Sequence, residues 1–256
     1  MITSSANKQV KNVMQLMTKA SARREQKLFV VEGIKMFLET PAEDIEKVFV
    51  SESCINTNKD IISHIEKISY EVVKDSVFKE MSGTVTPQGI MALVRQKEYC
   101  LNELIKDEKQ IFILLEGLQD PGNMGTIIRT AEGAGVSAII MDKETVDVYN
   151  PKVIRSTMGS VFRVPFVVVA DLSDTIDILR KNNIDTYAAH LQGKIYYDEN
   201  NFTRSSAILI GNEGKGLSEN ISKKADKLIK IPMCGKVESL NASVAAAILM
   251  YEAKKW

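Results

Sequence analysis

No stretch of this 256-residue sequence is apolar for long enough to cross a bilayer, which excludes a helical membrane protein. The N-terminus has no apolar signal core either, because Lys8, Lys11 and Lys19 interrupt it, and a cytoplasmic protein is expected. Cysteine is scarce: Cys54, Cys100 and Cys234 are odd in number and far apart, which argues for reduced thiols and against a disulfide framework or a zinc site. His64 and His190 are the only histidines, so histidine-based catalysis and metal binding are poorly supplied, and no metal is expected. Internal repeats, low-complexity tracts and long linkers are also missing. Neither sign of charge is in excess, since 33 Lys and Arg balance 33 Asp and Glu, and the overall charge offers no argument for a nucleic-acid partner.

The charges that are present are unevenly placed. Residues 1–27 hold six bases, Lys8, Lys11, Lys19, Arg23, Arg24 and Lys27, against the single acid Glu25, whereas residues 28–106 carry nine bases and thirteen acids. A local basic segment is what phosphate contact requires, because each neutralised phosphate releases counterions; a solvated helix face has the same composition. Residues 4–20 predict an amphipathic helix capped at Ser4 or Ser5, with Val10, Val13, Met14 and Met17 on one face. Short elements then alternate: strands over 28–32, 47–51, 71–73 and 89–94, and helices over 33–39, 59–67 and 75–81. Residues 95–110 are charged and polar, and the domain boundary is placed there. Beyond it the strands become continuous apolar runs, at 111–115, 136–141, 165–169, 186–190, 207–210 and 228–231. Helical patterns separate them at 124–134, 151–160, 172–182, 219–225 and 241–254. Runs apolar on both faces, alternating with helices, argue for a parallel sheet sandwiched between helices.

In such a sheet ligands collect at the carboxyl ends of the strands, and three polar loops follow strands directly. The first, Glu116-Gly-Leu-Gln-Asp-Pro-Gly-Asn-Met-Gly125, leads into a helix that Asn123 can cap and that carries Arg129 among Ile127, Ile128 and Ala131. An arginine in so apolar a stretch calls for a partner, Glu116, Asp120 or Glu132, since an unpaired buried charge is costly. The second loop, Gly211-Asn-Glu-Gly-Lys-Gly216, is neither a Walker A loop nor the dinucleotide fingerprint, because its spacing suits neither. Three glycines in six residues still imply unusual backbone angles or a close approach to the chain. The third runs from Ile231-Pro-Met through Ser239-Leu-Asn241 into a helix of small residues, with Ser239 or Asn241 as its cap. Singly, each loop has an ordinary structural explanation: a buried pair, a plain turn, a tightly packed helix.

In combination, and in this order, Asn123…Arg129, Gly211-Asn-Glu-Gly-x-Gly216 and Ile231-Pro-Met…Ser-Leu-Asn241 closely resemble the motifs of the SpoU-type, TrmH-like family of RNA 2′-O-ribose methyltransferases, over roughly residues 108–256. The part before them resembles the substrate-binding domain often fused to that family, through Phe29-Val-Val-Glu-Gly33 and Thr86-Pro-Gln-Gly-Ile90. The resemblance implies a basic N-terminal helix at 1–24, a small α/β RNA-binding domain at 25–100 and a linker at 101–110. Residues 111–256 would then form a parallel-sheet α/β domain whose end is threaded into a deep trefoil knot. General topology rules argue against a knot, so that expectation comes from the likeness alone.

The same resemblance implies S-adenosylmethionine as cofactor, held by Gly211, Asn212, Glu213, Gly214, Gly216, Ile231, Met233, Ser239, Leu240 and Asn241. Arg129, Asn123, Glu213, Ser239 and Asn241 match the catalytic positions. A guanidinium is hard to deprotonate, so Arg129 is expected to stabilise the developing alkoxide and a neighbouring phosphate, with water or a phosphate oxygen taking the proton. No metal is implied, because the sulfonium already activates the methyl group. Further implications are a homodimer through the C-terminal domain, with Val244, Ile248 and Tyr251 serving core or interface, and an RNA substrate, ribosomal in preference to transfer RNA. Lys8, Lys11, Lys19, Arg23, Arg24 and Lys27 would contact its phosphates. A transfer-RNA ribose methylase, a base methylase and a catalytically idle RNA-binding protein of the same fold stand as alternatives.

Overall fold

The computed structural model describes residues 1–66, 68–199, 202 and 204–255. It divides into two compact units, one of Met1–Lys97 with Asp147–Phe162 and one of Glu98–Val146 with Arg163–Trp256. Two features differ from the sequence expectation. Residues 1–24 form no separate arm but pack into the first unit, and Asp147–Phe162, expected within the second unit, lies with the first.

The first unit runs α1 (Lys8–Thr18), α2 (Ala20–Gln26), β1 (Leu28–Glu32), α3 (Ile34–Glu39), β2 (Ile45–Ser51), α4 (Glu52–Thr57), α5 (Lys59–Ile65), β3 (Tyr70–Val73), α6 (Asp75–Met81) and β4 (Ile90–Arg95). Its four strands form one sheet in the order β1-β4-β2-β3, antiparallel except for the β2–β3 pair. The single helix expected at 4–20 starts later and breaks at Lys19, which is extended. Asn7, not Ser4 or Ser5, caps it by accepting from the Gln9 N–H at 2.8 Å. The buried stripe is Val10, Val13 and Leu16, and Met14 is instead 39% exposed. That stripe packs with Phe49, Phe78 and Met91 to make the core of the unit. Lys67, the expected last residue of α5, lies outside the described residues.

The second unit begins with α7 (Leu101–Leu104), β5 (Ile111–Leu115), α8 (Pro121–Ala134) and β6 (Ala138–Met141). After the passage through the first unit, which contains α9 (Pro151–Thr157), it continues with β7 (Phe166–Val168), α10 (Leu172–Lys181), β8 (Asp185–Ala189), β9 (Ile195–Tyr196), β10 (Ser206–Ile210), α11 (Glu219–Lys224), β11 (Lys227–Lys230) and α12 (Ala242–Ala253). All seven strands are parallel, in the order β7-β6-β5-β10-β8-β11-β9. β5 and β10 are buried along their whole length and run side by side, Leu115 against Ile210, which is why both read as unbroken apolar runs. Each fully buried Ile or Leu in them contributes about 1.5–3 kcal/mol. β10 enters between β5 and β8 although it follows both in sequence, and the loops after β5, β8, β10 and β11 therefore share one edge. From β11, on the far side of β8, the chain returns to lay α12 on β10 and α8. This return to the middle of the sheet accords with the expected trefoil knot. Among the described residues no helix is long and apolar enough to cross a membrane, and Cys54, Cys100 and Cys234 are free thiols.

Candidate active site

β10 ends at Ile210 and the chain folds back at once. Asn212 and Gly216 form a small antiparallel bridge, with N–H to O distances of 3.1 and 2.9 Å in the two directions. A side chain on Gly211 would place its Cβ 2.1 Å from the Gly216 carbonyl carbon, so only glycine fits there, and Gly216 closes the turn at φ +70°. Asn212 stitches the loop together: its Oδ1 accepts from the Gly214 and Lys215 N–H groups at 2.9 and 3.0 Å, and its Nδ2 donates to the Gly117 carbonyl at 2.8 Å. Glu213 is thereby presented to the start of α8. Its carboxylate accepts from the Gln119 N–H (3.1 Å), the Asp120 N–H (2.9 Å) and Asn123 Nδ2 (3.0 Å).

That carboxylate sets the orientation of two amides in turn. Ionised Glu213 can only accept, so Asn123 must offer it the NH2 end. The Asn123 Oδ1 then accepts from Asn241 Nδ2 at 2.9 Å. Asn241 has its Oδ1 left for α12, where it caps the helix by accepting from the Ser243 N–H and Oγ (2.9 and 2.7 Å) and the Val244 N–H (3.4 Å). A hydrogen-bonded line Glu213–Asn123–Asn241 thus joins all three loops singled out in the sequence. Burial pushes the Glu213 carboxyl up, but the hydrogen bonds from Asn123, Asp120 and Gln119 outweigh it and hold the pKa below the usual glutamate value. Glu213 is anionic at neutral pH with its oxygens engaged, which suits it to positioning and not to proton abstraction.

Two sequence expectations fail here. Asn123 does not cap α8: Asp120 does, accepting from the Asn123 N–H at 2.7 Å, with Pro121 in the first turn. Arg129 is not buried and has none of the expected partners. It is exposed on α8 and, among the described residues, its side chain makes no hydrogen bond or ion pair; Glu132 pairs with Arg163, and Glu116 accepts from the Ser218 N–H at 2.7 Å. Six residues of helix put Arg129 about 240° around the axis from Asn123, so within one chain the two face different sides.

A cavity of about 610 Å³ opens beside the line, a size typical of cofactor sites. Gly211, Asn212, Glu213, Gly214, Gly216, Ile231, Met233, Ser239 and Leu240 all line it, and of the expected cofactor residues only Asn241 does not. Ile210, Ile229, Ala245 and Leu249 add apolar surface. From Ile231 to Leu240 no backbone group makes a hydrogen bond among the described residues, so free N–H and C=O groups border the cavity, the kind of edge an adenine can meet. These residues fit a nucleoside cofactor. Sequence reading missed the wall built from Ala189 at the end of β8, from His190, Leu191 and Gln192 after it, and from Tyr196 of β9, with Lys230 Nζ 4.9 Å from the Tyr196 ring. A signal was available: the strand expected at 186–190 ends at the same edge as the others.

On the first unit Lys8, Lys11, Lys19, Arg24 and Lys27 are exposed. Arg23 is not. It is 3% exposed, bonded through Nε to Asp147 at 2.8 Å and through Nη1 to the Leu16 carbonyl at 2.6 Å, so contrary to the sequence expectation it does not face phosphates.

Residues 110–251 match the SpoU rRNA Methylase family, and residues 7–92 match the MRM3-like substrate binding domain. Over 254 residues the chain is 34% identical to the 23S rRNA (guanosine(2553)-2'-O)-methyltransferase RlmP of Bacillus subtilis, covering 98% of this chain and 97% of that one. In structure it is similar to the AdoMet-bound rRNA methyltransferase of Sinorhizobium meliloti (TM-score 0.87, 29% identity, 98% and 96% of the two chains). It is likewise similar to the SpoU methyltransferase AviRb of Streptomyces viridochromogenes in complex with AdoMet (TM-score 0.88, 25% identity, 97% of each chain). Fold and site define an α/β methyltransferase of the RNA-modifying class. The chain belongs to the SpoU rRNA methylase family and carries an MRM3-like substrate-binding domain ahead of the methylase domain.

Proposed function

We propose that this protein transfers a methyl group from S-adenosylmethionine to a ribose 2′-hydroxyl of 23S ribosomal RNA. The nucleotide corresponding to guanosine 2553, named for the Bacillus subtilis relative, is the target we propose. The observation that carries the reading is the line Glu213–Asn123–Asn241 set beside a cofactor-sized cavity. Main-chain groups around Gly211, Ile231 and Leu240 would hold the adenosine, while Glu213, Ser239 and Asn241 border the methyl donor. Bound there, the cofactor supplies a methyl on positive sulfur, already activated for in-line displacement.

The hydroxyl must lose its proton as the new C–O bond forms. Arg129 suits stabilisation of that developing charge and of an adjacent phosphate, since a guanidinium stays charged and offers five donors. With Glu213 engaged, the proton goes to water or to a phosphate oxygen. Among the described residues the Arg129 side chain has no partner on α8, and it faces away from Asn123, which supports completion of each site by Arg129 of a second copy in a homodimer. α8 and α12 lie side by side, a Cβ at Gly133 coming 3.2 Å from the Tyr251 Oη, and Val244 and Tyr251, 47% and 57% exposed, leave α12 an uncovered apolar face. Lys8, Lys11, Lys19, Arg24 and Lys27 would hold RNA phosphates on the first unit. A ribosomal substrate puts the work in the cytoplasm.

Methyl mapping tests the reading. Ribosomal RNA is compared from cells with and without the protein, and purified protein is given labelled S-adenosylmethionine with unmodified 23S transcript. A 2′-O-methyl group at the proposed position that depends on the protein supports it. Label in transfer RNA or on a base, or no cofactor binding by calorimetry, overturns it.

A further inference from the structure

The family match counts residues 147–162 as methylase, yet they are built into the first unit. The chain leaves the parallel sheet after β6, passes through the first unit, and returns for β7. Specific side chains hold it there. Asp147 Oδ2 pairs with the buried Arg23, 2.7 Å from Nη2 and 2.8 Å from Nε, while its Oδ1 accepts from the Tyr149 N–H at 2.9 Å. The Tyr149 ring stands 4.5 Å from that of Phe29 in β1, and Phe162 meets the same ring at 6.4 Å. The Tyr149 hydroxyl donates to the Lys97 carbonyl at 3.1 Å and accepts from the Lys97 N–H at 3.0 Å. From α9, Arg155 Nη1 lies 3.7 Å from Glu32 Oε2. Glu32, 7% exposed, also accepts from the Gly83 N–H (3.2 Å), Thr84 Oγ1 (2.8 Å) and the Ser82 hydroxyl.

None of these groups lines the cofactor cavity. Two arginines that phosphates could have claimed, Arg23 and Arg155, are turned to carboxylates inside the unit. We infer that Asp147–Phe162 is a working part of the RNA-binding unit. Asp147 with Arg23, and Arg155 with Glu32, are positioning residues for RNA and not for the cofactor. The inference rests on the RNA methylation proposed above. A buried charge stripped of its partner is unstable where it is, so Arg23 without Asp147 leaves its place and unseats α2, next to Lys19, Arg24 and Lys27. The chain crosses between units three times, after Lys97, Val146 and Phe162. Residues 7–92 alone therefore lack the segment that packs on β1.

Asp147→Asn and Arg155→Met, made in the full-length chain, test it. The KM for 23S transcript is expected to rise about tenfold, with kcat at saturating RNA and the calorimetric affinity for S-adenosylmethionine within about twofold of wild type. Combining Arg23→Met with Asp147→Leu restores RNA affinity, since an apolar pair strands no charge. An unchanged KM, or an equal loss of cofactor binding, overturns the inference. Hydrogen exchange on the wild-type chain covers a variant that fails to fold: amides of 147–162 gain protection with the RNA and none with S-adenosylmethionine, and the reverse pattern overturns it. A wild-type protein that methylates no RNA defeats the proposed function itself, a result read separately from these.

Discussion

Arg129 shows where residue-level reading stops. Its neighbours Ile127, Ile128 and Ala131 are all fully buried, and from sequence the arginine looked buried with them. A helix packed on one side exposes the other, and Arg129 falls on the exposed side. If it stabilises the transition state, Arg129→Ala lowers kcat by about a hundredfold or more while the calorimetric affinity for S-adenosylmethionine stays near wild type. Arg129→Lys loses nearly as much, because a point charge does not reproduce the planar fork; near-normal turnover of that variant would sink the assigned role. Glu213 carries a pH signature. A carboxyl whose folded pKa is depressed stabilises the fold above its unfolded value, about 4.3, and loses that contribution as the pH falls through the folded pKa. The gap in melting temperature between wild type and Glu213→Gln is therefore widest at neutral pH and closes in acid. A gap that stays constant down to about pH 3 would trace the loss to geometry and not to charge.

At the scale of elements, the caps decide what the motifs do. The cap of α12 was legible as Ser239 or Asn241, and the structure gives the place to Asn241, whose Oδ1 accepts from the Ser243 N–H. Its second bond, to Asn123, was not legible, because the two lie 118 positions apart in the chain. Two substitutions separate these roles. Asn241→Ala removes cap and bridge, and is expected to lower stability by about 1 kcal/mol, or about 2–4 °C in a thermal melt. Asn241→Asp keeps a cap acceptor but cannot donate to Asn123, so it melts close to wild type and still loses methyl transfer. Equal activity of the Asp variant and wild type would show that the bridge is dispensable. The helix borders were read less well. Asn7 took the capping place given to Ser4 or Ser5, and Asp120 the one given to Asn123, because several side chains compete locally and backbone geometry chooses among them.

At the scale of the whole molecule, the exposed apolar face of α12 and the exposed Arg129 lead to the same expectation. Light scattering at micromolar concentration should report a dimer. Val244→Asp with Tyr251→Asp should report a monomer that binds S-adenosylmethionine but transfers no methyl groups. Mixing inactive Arg129→Ala with inactive Glu213→Gln, under conditions that exchange subunits, should regain activity, because one site of the mixed dimer then holds both an intact Glu213 and an intact Arg129. No recovery on mixing would mean that each chain completes its own site.

By itself the sequence determined the parallel α/β class of the second unit and its three polar loops. These follow from local apolar runs and from the rule that such sheets gather ligands at their carboxyl edge. Only the tertiary structure decided that Arg23 is an internal ion pair, that residues 147–162 serve the first unit, that Arg129 faces outward, and that the chain after β8 supplies another wall. Each of these depends on which distant segments meet, and composition along the chain does not carry that information.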